Sequence, residues 1–559
     1  MSYLFQIINS NAIEEYAPEK GNVLDMFAGS GMTAIASRMC GRNACVSDIS
    51  ILGKHIGQGY LTKVNPSELQ ETANAIINAS RREVGDLYQT IRESDNKAVE
   101  LIRTIWSFVY RCNGCEGDIN YYESFKSAGW KSSEIKCPHC QHSFEKKTSA
   151  VIGEVPVFTA VKGEKKQVEQ PLNKLDYENI SQAEATDILD QIPNNEITSD
   201  REMYRRSALE KWGLTETKLF FSHRNAIILF DLWNRINAEQ DDFLRKKLLF
   251  CFTAILPRAS KRYQWSYKAP LNAANQNYYI APVFYEWNIY DLFQRKVTAC
   301  IKSDNFIGYQ HKGTTQEYVI ASAHELRHVS DNSIDYVFTD PPFGSNIFYA
   351  DMNLFQEAWL NNTTNNKVEA VMRTTGGKEL KATSAVRYKE LLTGAFSEAY
   401  RVLKPGGVCS IVFGNSKGNI WSIAQQAIRN AGFIGKPLQV SILDKGQRSV
   451  KGLNSGHEKV ATLDLIVTVK KETINKNQEL YFAETKSMIN ETLDSITLNE
   501  KTTASHVYAE VLRSAIANNT CMADIDLHDV IESLSERGIS ISRETGNLCF
   551  KKTSIPEPA

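Results

Sequence analysis

The chain has no surplus of one charge: 64 Lys and Arg stand against 65 Asp and Glu in 559 residues, a net of −1. That excludes a uniform polycation or polyanion. It leaves open a local basic surface, because segregated charge rather than net charge attracts a charged partner. Long apolar runs are also missing. No stretch approaches the roughly 18 apolar residues of a membrane-spanning helix, so no membrane partner is expected. Met1-Ser2-Tyr3-Leu4-Phe5 lacks the basic stretch and apolar segment of a secretory leader. Cysteine is sparse, at eleven residues, and four of these form two Cys-x-x-Cys pairs. That usage fits a reduced, cytoplasmic chain with one metal site, not a disulfide scaffold. With 15 prolines, 31 glycines and 42% hydrophobic residues, wholesale disorder and fibrous classes are excluded. There are no internal repeats and no long low-complexity stretch. The length suggests about three or four folding units, ample for large cores.

What is present reads as an α/β chain with a long interruption. Apolar positions at 7, 8, 13 and 16 predict a helix over 5–16. A strand (22–26), a Gly-rich turn, a helix (33–40) and a strand ending at Asp48 make a βαβ unit. Residues 66–110 read as helical, and 151–200 as loops and short strands. Strands at 317–321, 335–339 and 408–413, a helix at 385–403, a helix at 420–431 and strands at 437–443 and 460–470 restore the α/β pattern. Residues 471–559 read as helical with a short β end, a separate small domain.

The first turn reads Val23-Leu24-Asp25-Met26-Phe27-Ala28-Gly29-Ser30-Gly31-Met32-Thr33. Gly29 and Gly31 let the backbone approach a ligand, and the following helix offers unpaired N–H groups. Asp48 lies 17 residues past Gly31 at a strand end, suited to accept from a ribose diol. The Gly-x-Gly-x-x-Gly spacing that suits a pyrophosphate is absent, since residue 34 is Ala, and so is a Gly-Lys-Ser/Thr phosphate loop. Asp25 would repel phosphates and attract an amino group or a sulfonium. This turn resembles the first motif of S-adenosylmethionine (SAM) methyltransferases, in the Phe-Ala-Gly-Ser-Gly form of DNA amino-methyltransferases. The resemblance implies SAM held around Asp25, Phe27, Ala28, Gly29, Gly31, Thr33 and Asp48.

The strand Ile334–Thr339 runs into Asp340-Pro341-Pro342-Phe343-Gly344. Two prolines fix φ and remove two donors. The turn therefore presents acceptors, the Asp340 carboxylate and the Pro341 carbonyl, to the two N–H groups of an exocyclic amine. Phe343 is expected to stack on the base. Holding both hydrogens would localise the amine lone pair in the transition state. The motif resembles that of N6-adenine and N4-cytosine methyltransferases. The continuation through Asn353 is similar to one subgroup of prokaryotic site-specific DNA methyltransferases. The resemblance covers 20–50 and 317–470 well, 220–300 loosely, and not the last ninety residues. It implies an α/β, Rossmann-like methyltransferase core acting on a flipped-out base in DNA, with Asp340, Pro341, Pro342 and Phe343 as catalytic residues. Asp340, where a Ser would favour cytosine, leans toward adenine. Carbon-5 cytosine chemistry needs a Cys nucleophile, and no Pro-Cys dipeptide occurs. Ser322 stands where the family often has an acid near the SAM adenine. Only 24 residues precede Asp25, where relatives carry a longer Trp- and Arg-containing segment. The class commonly works beside a restriction or phage-defence partner protein.

The two motifs lie about 310 residues apart, the order of the class whose target-recognition domain sits between them. Residues 151–242 carry 17 acidic and 11 basic residues, whereas 243–312 carry 3 acidic and 11 basic, with 15 aromatics. Arg258, Lys261, Arg262 and Lys268 are the expected DNA-backbone contacts. The alternative is a basic solvated face over a Tyr-rich core. Cys112-x-x-Cys115 and, 21 residues on, Cys137-x-x-Cys140 form a zinc-ribbon spacing for structural Zn²⁺. A redox dithiol or bound iron is the alternative, and whether the ribbon touches DNA stays open. The expected division is 1–62 SAM-binding part, 63–110 helical connection, 111–145 zinc ribbon, 146–312 target-recognition insertion, 313–470 catalytic part and 471–559 an extension. The rival readings are an RNA N2-guanine methyltransferase and a catalytically inactive DNA-recognition subunit.

Overall fold

The computed structural model describes residues 10–164, 166–267, 278–308, 313–345, 347–434, 436–444, 461–472, 484–542 and 547–550. Lys268 and the first residues of the helix expected over 5–16 lie outside them. The chain divides into two compact units. One contains 1–61, 309–347 and 367–559; the other contains 62–308 and 348–366.

The first unit is built on a seven-stranded sheet of β1 (Asn22–Asp25), β2 (Asn43–Asp48), β3 (Gln316–Ile320), β4 (Ile334–Thr339), β5 (Leu403–Phe413), β6 (Gln439–Leu443) and β7 (Asp464–Lys470). Their spatial order is β6-β7-β5-β4-β1-β2-β3. The five strands from β5 to β3 are parallel, and β7 is antiparallel to both its neighbours. Strands such as β4, buried at five of its six positions, read as near-continuous apolar runs because both faces are covered. Over one face lie α1 (Met32–Met39) and residues 10–16, where Ile13, Ala36, Tyr336, Phe338 and Val412 meet. The larger cluster joins Leu24, Val337 and Ile411 to α3 (Lys378–Val402) and α4 (Gly418–Asn430). Between β1 and β2 the chain moves to one side, and β4 and β5 lie on the other. Adjacent β1 and β4 are therefore the switch point, where open α/β sheets bind ligands beyond the carboxyl ends of the strands. The helix at 385–403 begins seven residues earlier than expected, at Lys378. Beyond its end, Gly406 (φ 79°) makes a bulge in β5, where the Gly406 N–H donates to the Lys471 carbonyl and the Lys471 N–H to the Gly407 carbonyl.

The C-terminal stretch forms α5 (Thr485–Ser495), α6 (Ala504–Ala517), α7 (Leu527–Glu536) and a hairpin of Ile539–Ile541 with Leu548–Phe550. Met488, Leu512, Met522 and Leu534 belong to the same core as Ile411 and Trp421. The first residue of α4 is pressed against this stretch: a Cβ on Gly418 would stand 2.4 Å from the Met522 carbonyl.

In the second unit, helix Pro66–Val84 starts on an Asn65 cap, with Pro66 in its first turn. The helical reading of 63–110 fails after it. Gln89–Arg92 and Lys97–Arg111 are antiparallel strands, and the second pairs with Val151–Lys162 and Val283–Trp287. The Ile105-Trp106-Ser107-Phe108-Val109-Tyr110 run is rich in β-formers. It lacks clean alternation because most of its residues are buried on both sides. The reading of 151–200 is likewise corrected. It holds the 12-residue strand Val151–Lys162 and the helix Lys174–Glu184, opened by an Asn173/Asp176 capping box. Among the described residues, no helix is long and apolar enough to cross a membrane.

Candidate active site and metal centre

The glycine turn leaves β1 at Asp25. Gly29 (φ 49°) and Gly31 (φ 76°) are left-handed, which a side chain would strain, and Gly31 caps α1. Helix α2 (Ile51–Leu61) lies against this turn through its own glycines. A Cβ on Gly53 would stand 2.5 Å from the Gly29 carbonyl, and one on Gly57 2.7 Å from the Tyr318 ring. The Tyr318 hydroxyl donates to the Gly29 carbonyl at 2.6 Å. The buried Ala28 donates its N–H to Ser47, while Phe27 is half-buried against the larger core.

The two acids at the strand ends differ. Asp48 accepts from the Gly29 N–H at 2.8 Å and the Ser50 N–H at 2.9 Å. The Ile49 amide also acts on it, and since a carboxylate has about four acceptor positions, capacity for a ribose hydroxyl remains. Desolvation raises its pKa. Asp25 is only 4% exposed. It accepts from the Thr33 hydroxyl (2.6 Å), the Phe27 N–H (3.1 Å) and the Thr339 hydroxyl (3.3 Å). Burial outweighs these bonds and pushes Asp25 up to about 7.

Thr339 is the residue immediately before Asp340, so the Asp25–Thr339 bond ties the two turns together. The parallel pairing of β1 and β4 sets that register. Asp340, Pro342 and Phe343 are half-buried, and Pro341 is buried. The Tyr388 hydroxyl donates to the Pro342 carbonyl at 2.8 Å, and the Asn415 side-chain amide donates to the Phe343 carbonyl at 3.0 Å. The Met372 N–H closes on Gly344. The Phe343 ring lies 5.1 Å from Phe413 at 60°, so its core-facing side is engaged there. Ser322 pairs with His324 at 2.6 Å. Tyr318, Thr339, Tyr388 and Asn415 escaped the sequence reading. Tyr388 and Asn415 sit on a helix and after a strand far from either motif; only Asn415, just past an apolar strand end, carried a positional hint.

No family model matches the chain, and no curated protein matches it. Two solved structures of one Thermus thermophilus protein, provisionally described as a DNA modification methylase, are similar over 31% of this chain. They are 16% identical, with TM-scores of 0.16 and 0.17, and this chain spans 60% and 61% of their length. Overlap that weak decides neither fold nor function.

Of the expected DNA contacts, burial rules against Arg262. Arg262 is 4% exposed, with its guanidinium 5.3 Å from the centres of both the Tyr278 and Phe355 rings. It is an interior cation. Lys261 pairs with Glu154 at 2.8 Å. Arg258 is exposed and lies over Tyr263. Charge counted along the chain misses partners such as Glu154, which arrive from more than a hundred residues away.

The four cysteines do meet. Their sulfurs all lie within 4.8 Å of one another, with Cys112–Cys140 and Cys115–Cys137 both at 3.7 Å. That is well beyond the roughly 2.05 Å of a disulfide. Backbone N–H groups of Gly114 and His139 point at the Cys112 and Cys137 sulfurs. The Gly114 amide is the largest influence bringing Cys112 down to about 6. Four sulfurs with amide donors suit a bound metal ion. His139 is turned to the Asp118 carbonyl instead.

Proposed function

We propose that this chain is a SAM-dependent DNA methyltransferase acting on the exocyclic amine of a flipped-out base, adenine N6 in preference to cytosine N4. The observation that carries the reading is the Thr339–Asp25 bond, which joins the glycine turn and the Asp-Pro-Pro-Phe turn at the sheet's switch point. A nucleoside-type cofactor site and an amine-accepting turn are thereby adjacent.

SAM, when bound, supplies an electrophilic methyl group. The residues fit it: the backbone at Gly29 is open to close approach, Gly31 lets α2 pack closely beneath the turn at Gly57, and Asp48 retains acceptor capacity for a ribose hydroxyl. Asp25 acts from beneath, bracing both turns. The Asp340 carboxylate and Pro341 carbonyl accept the two amine hydrogens and so orient the nitrogen lone pair outward. Asp340 is the group placed to take the proton that the amine sheds as it gains a methyl. Tyr388 and Asn415 fix the carbonyls that follow, so the acceptors are preorganised. Phe343 borders the base site. Cys112, Cys115, Cys137 and Cys140 hold a structural Zn²⁺, with no position left for a reacting water.

The test is incubation with tritiated SAM and mixed genomic DNA, followed by digestion to nucleosides. Label in N6-methyladenine is expected. Label in N4-methylcytosine would reverse the choice of base, and label only in RNA would replace the substrate. Asp340→Ala should abolish transfer while sparing SAM and DNA binding. Undiminished transfer by that variant would sink the mechanism.

A further inference from the structure

Helix α3 is longer than the core it covers. Its 25 residues are buried only at Tyr388, Leu392, Ala395, Phe396, Ala399 and Val402, a single stripe at helical spacing. Tyr388 marks the level of the catalytic turn, since its hydroxyl meets the Pro342 carbonyl. The ten residues before it, Lys378–Arg387, rise about 15 Å past that level and contain no buried residue. On this overhang the core-facing stripe continues as Lys378, Lys381, Ser384 and Ala385, three and four residues apart. Lys378 and Lys381 are exposed, and among the described residues neither ammonium group has an ion-pair partner. The segment before the helix is bound to it, because the Arg373 N–H donates to the Ser384 hydroxyl at 3.0 Å. From Val371 to Lys389 there are five basic residues and one acidic residue. Arg387, partly desolvated and drawn by Glu369, also lies within reach of the Arg373 charge.

A stripe that is apolar against the core and cationic beyond the catalytic turn calls for an anionic occupant at that level. Given the proposed reading of Asp340, on which this rests, a base held at the turn brings its flanking phosphates there. We propose that the α3 overhang is a phosphate clamp in which Lys378 and Lys381 grip the DNA backbone beside the extruded nucleotide. This surface replaces part of the role that charge counting had given to 258–268.

The test is anisotropy with a fluorescent mixed-sequence DNA duplex over a salt series. It compares the full chain with the Lys378→Glu/Lys381→Glu and Lys378→Arg/Lys381→Arg pairs. Charge reversal should raise Kd at least about tenfold. It should also lower the slope of log K against log salt by about 2, near 0.9 per lost phosphate contact. The arginine pair should match the parent, and SAM binding should not move. Unchanged Kd and slope on charge reversal overturn the clamp, as does equal weakening by the arginine pair. Methyl transfer is read separately. Lysine-dependent binding without any transfer removes the enzyme reading and leaves the clamp, whereas transfer with lysine-independent binding removes the clamp alone.

Discussion

At the scale of single residues, Asp25 and Asp48 are the same side chain at the ends of adjacent strands, yet their surroundings separate them. Asp48 keeps acceptor capacity; Asp25 spends nearly all of its own on Phe27, Thr33 and Thr339. An unfolded Asp titrates near 3.9, and folded Asp25 near 7. The folded state thus binds the extra proton between those values. The stabilisation is complete below about pH 4 and is lost as pH rises through about 7. Asp25→Asn should flatten this part of the melting-temperature profile between pH 4 and 7, measured by thermal unfolding; an unchanged slope would remove the assignment. Tyr388 offers a second test. Tyr388→Phe deletes one hydrogen bond worth about 1 kcal/mol, so kcat should fall by about fivefold while the KM for SAM stays constant.

At the scale of elements, the glycine turn is shaped as much by α2 as by its own glycines. The nearest obstacle to a Cβ at Gly53 is the backbone carbonyl of Gly29, which cannot swing aside as a side-chain tip would. Gly53→Ala should weaken SAM binding at least about tenfold, by calorimetry, with the far-ultraviolet spectrum intact. The cysteine cluster is a second such element. Its loops carry few buried apolar residues, Ile119, Tyr122 and Ile135 among them, so on the proposed reading a bound metal ion would supply much of their order. Chelation should release about one equivalent of Zn²⁺ and expose 111–150 to proteolysis. Equal protease resistance before and after chelation would show the ribbon to be held by other means.

For the whole molecule, the C-terminal stretch matters most. Its helices share one core with the sheet through Met488, Leu512, Met522 and Leu534. Deleting 484–559 would bare Trp421, Ile411 and their neighbours. Unfolding or aggregation is expected, not a folded enzyme with weaker DNA affinity. A soluble deletion variant with parental melting behaviour would show the stretch to be an independent appendage, as its sequence alone suggested.

Both motif turns, the strands bearing them and the cysteine pairs were legible from the sequence, because each depends on neighbours within a few residues. Glycines at 29 and 31, prolines at 341 and 342 and the Cys-x-x-Cys spacing act on their own backbone, and local rules read them correctly. The strand Lys97–Arg111 was misread because burial on both faces erased its alternation. The burial of Arg262, the pairing of Lys261 with Glu154, and the bracing by Tyr388 and Asn415 had no local signature. Each joins residues tens to hundreds of positions apart, and only the folded chain sets such distances. The sequence by itself therefore determined which turns could form and which groups they would carry. The tertiary structure alone decided that β1 and β4 lie side by side, so that Thr339 reaches Asp25 and two turns about 310 residues apart in the chain come together.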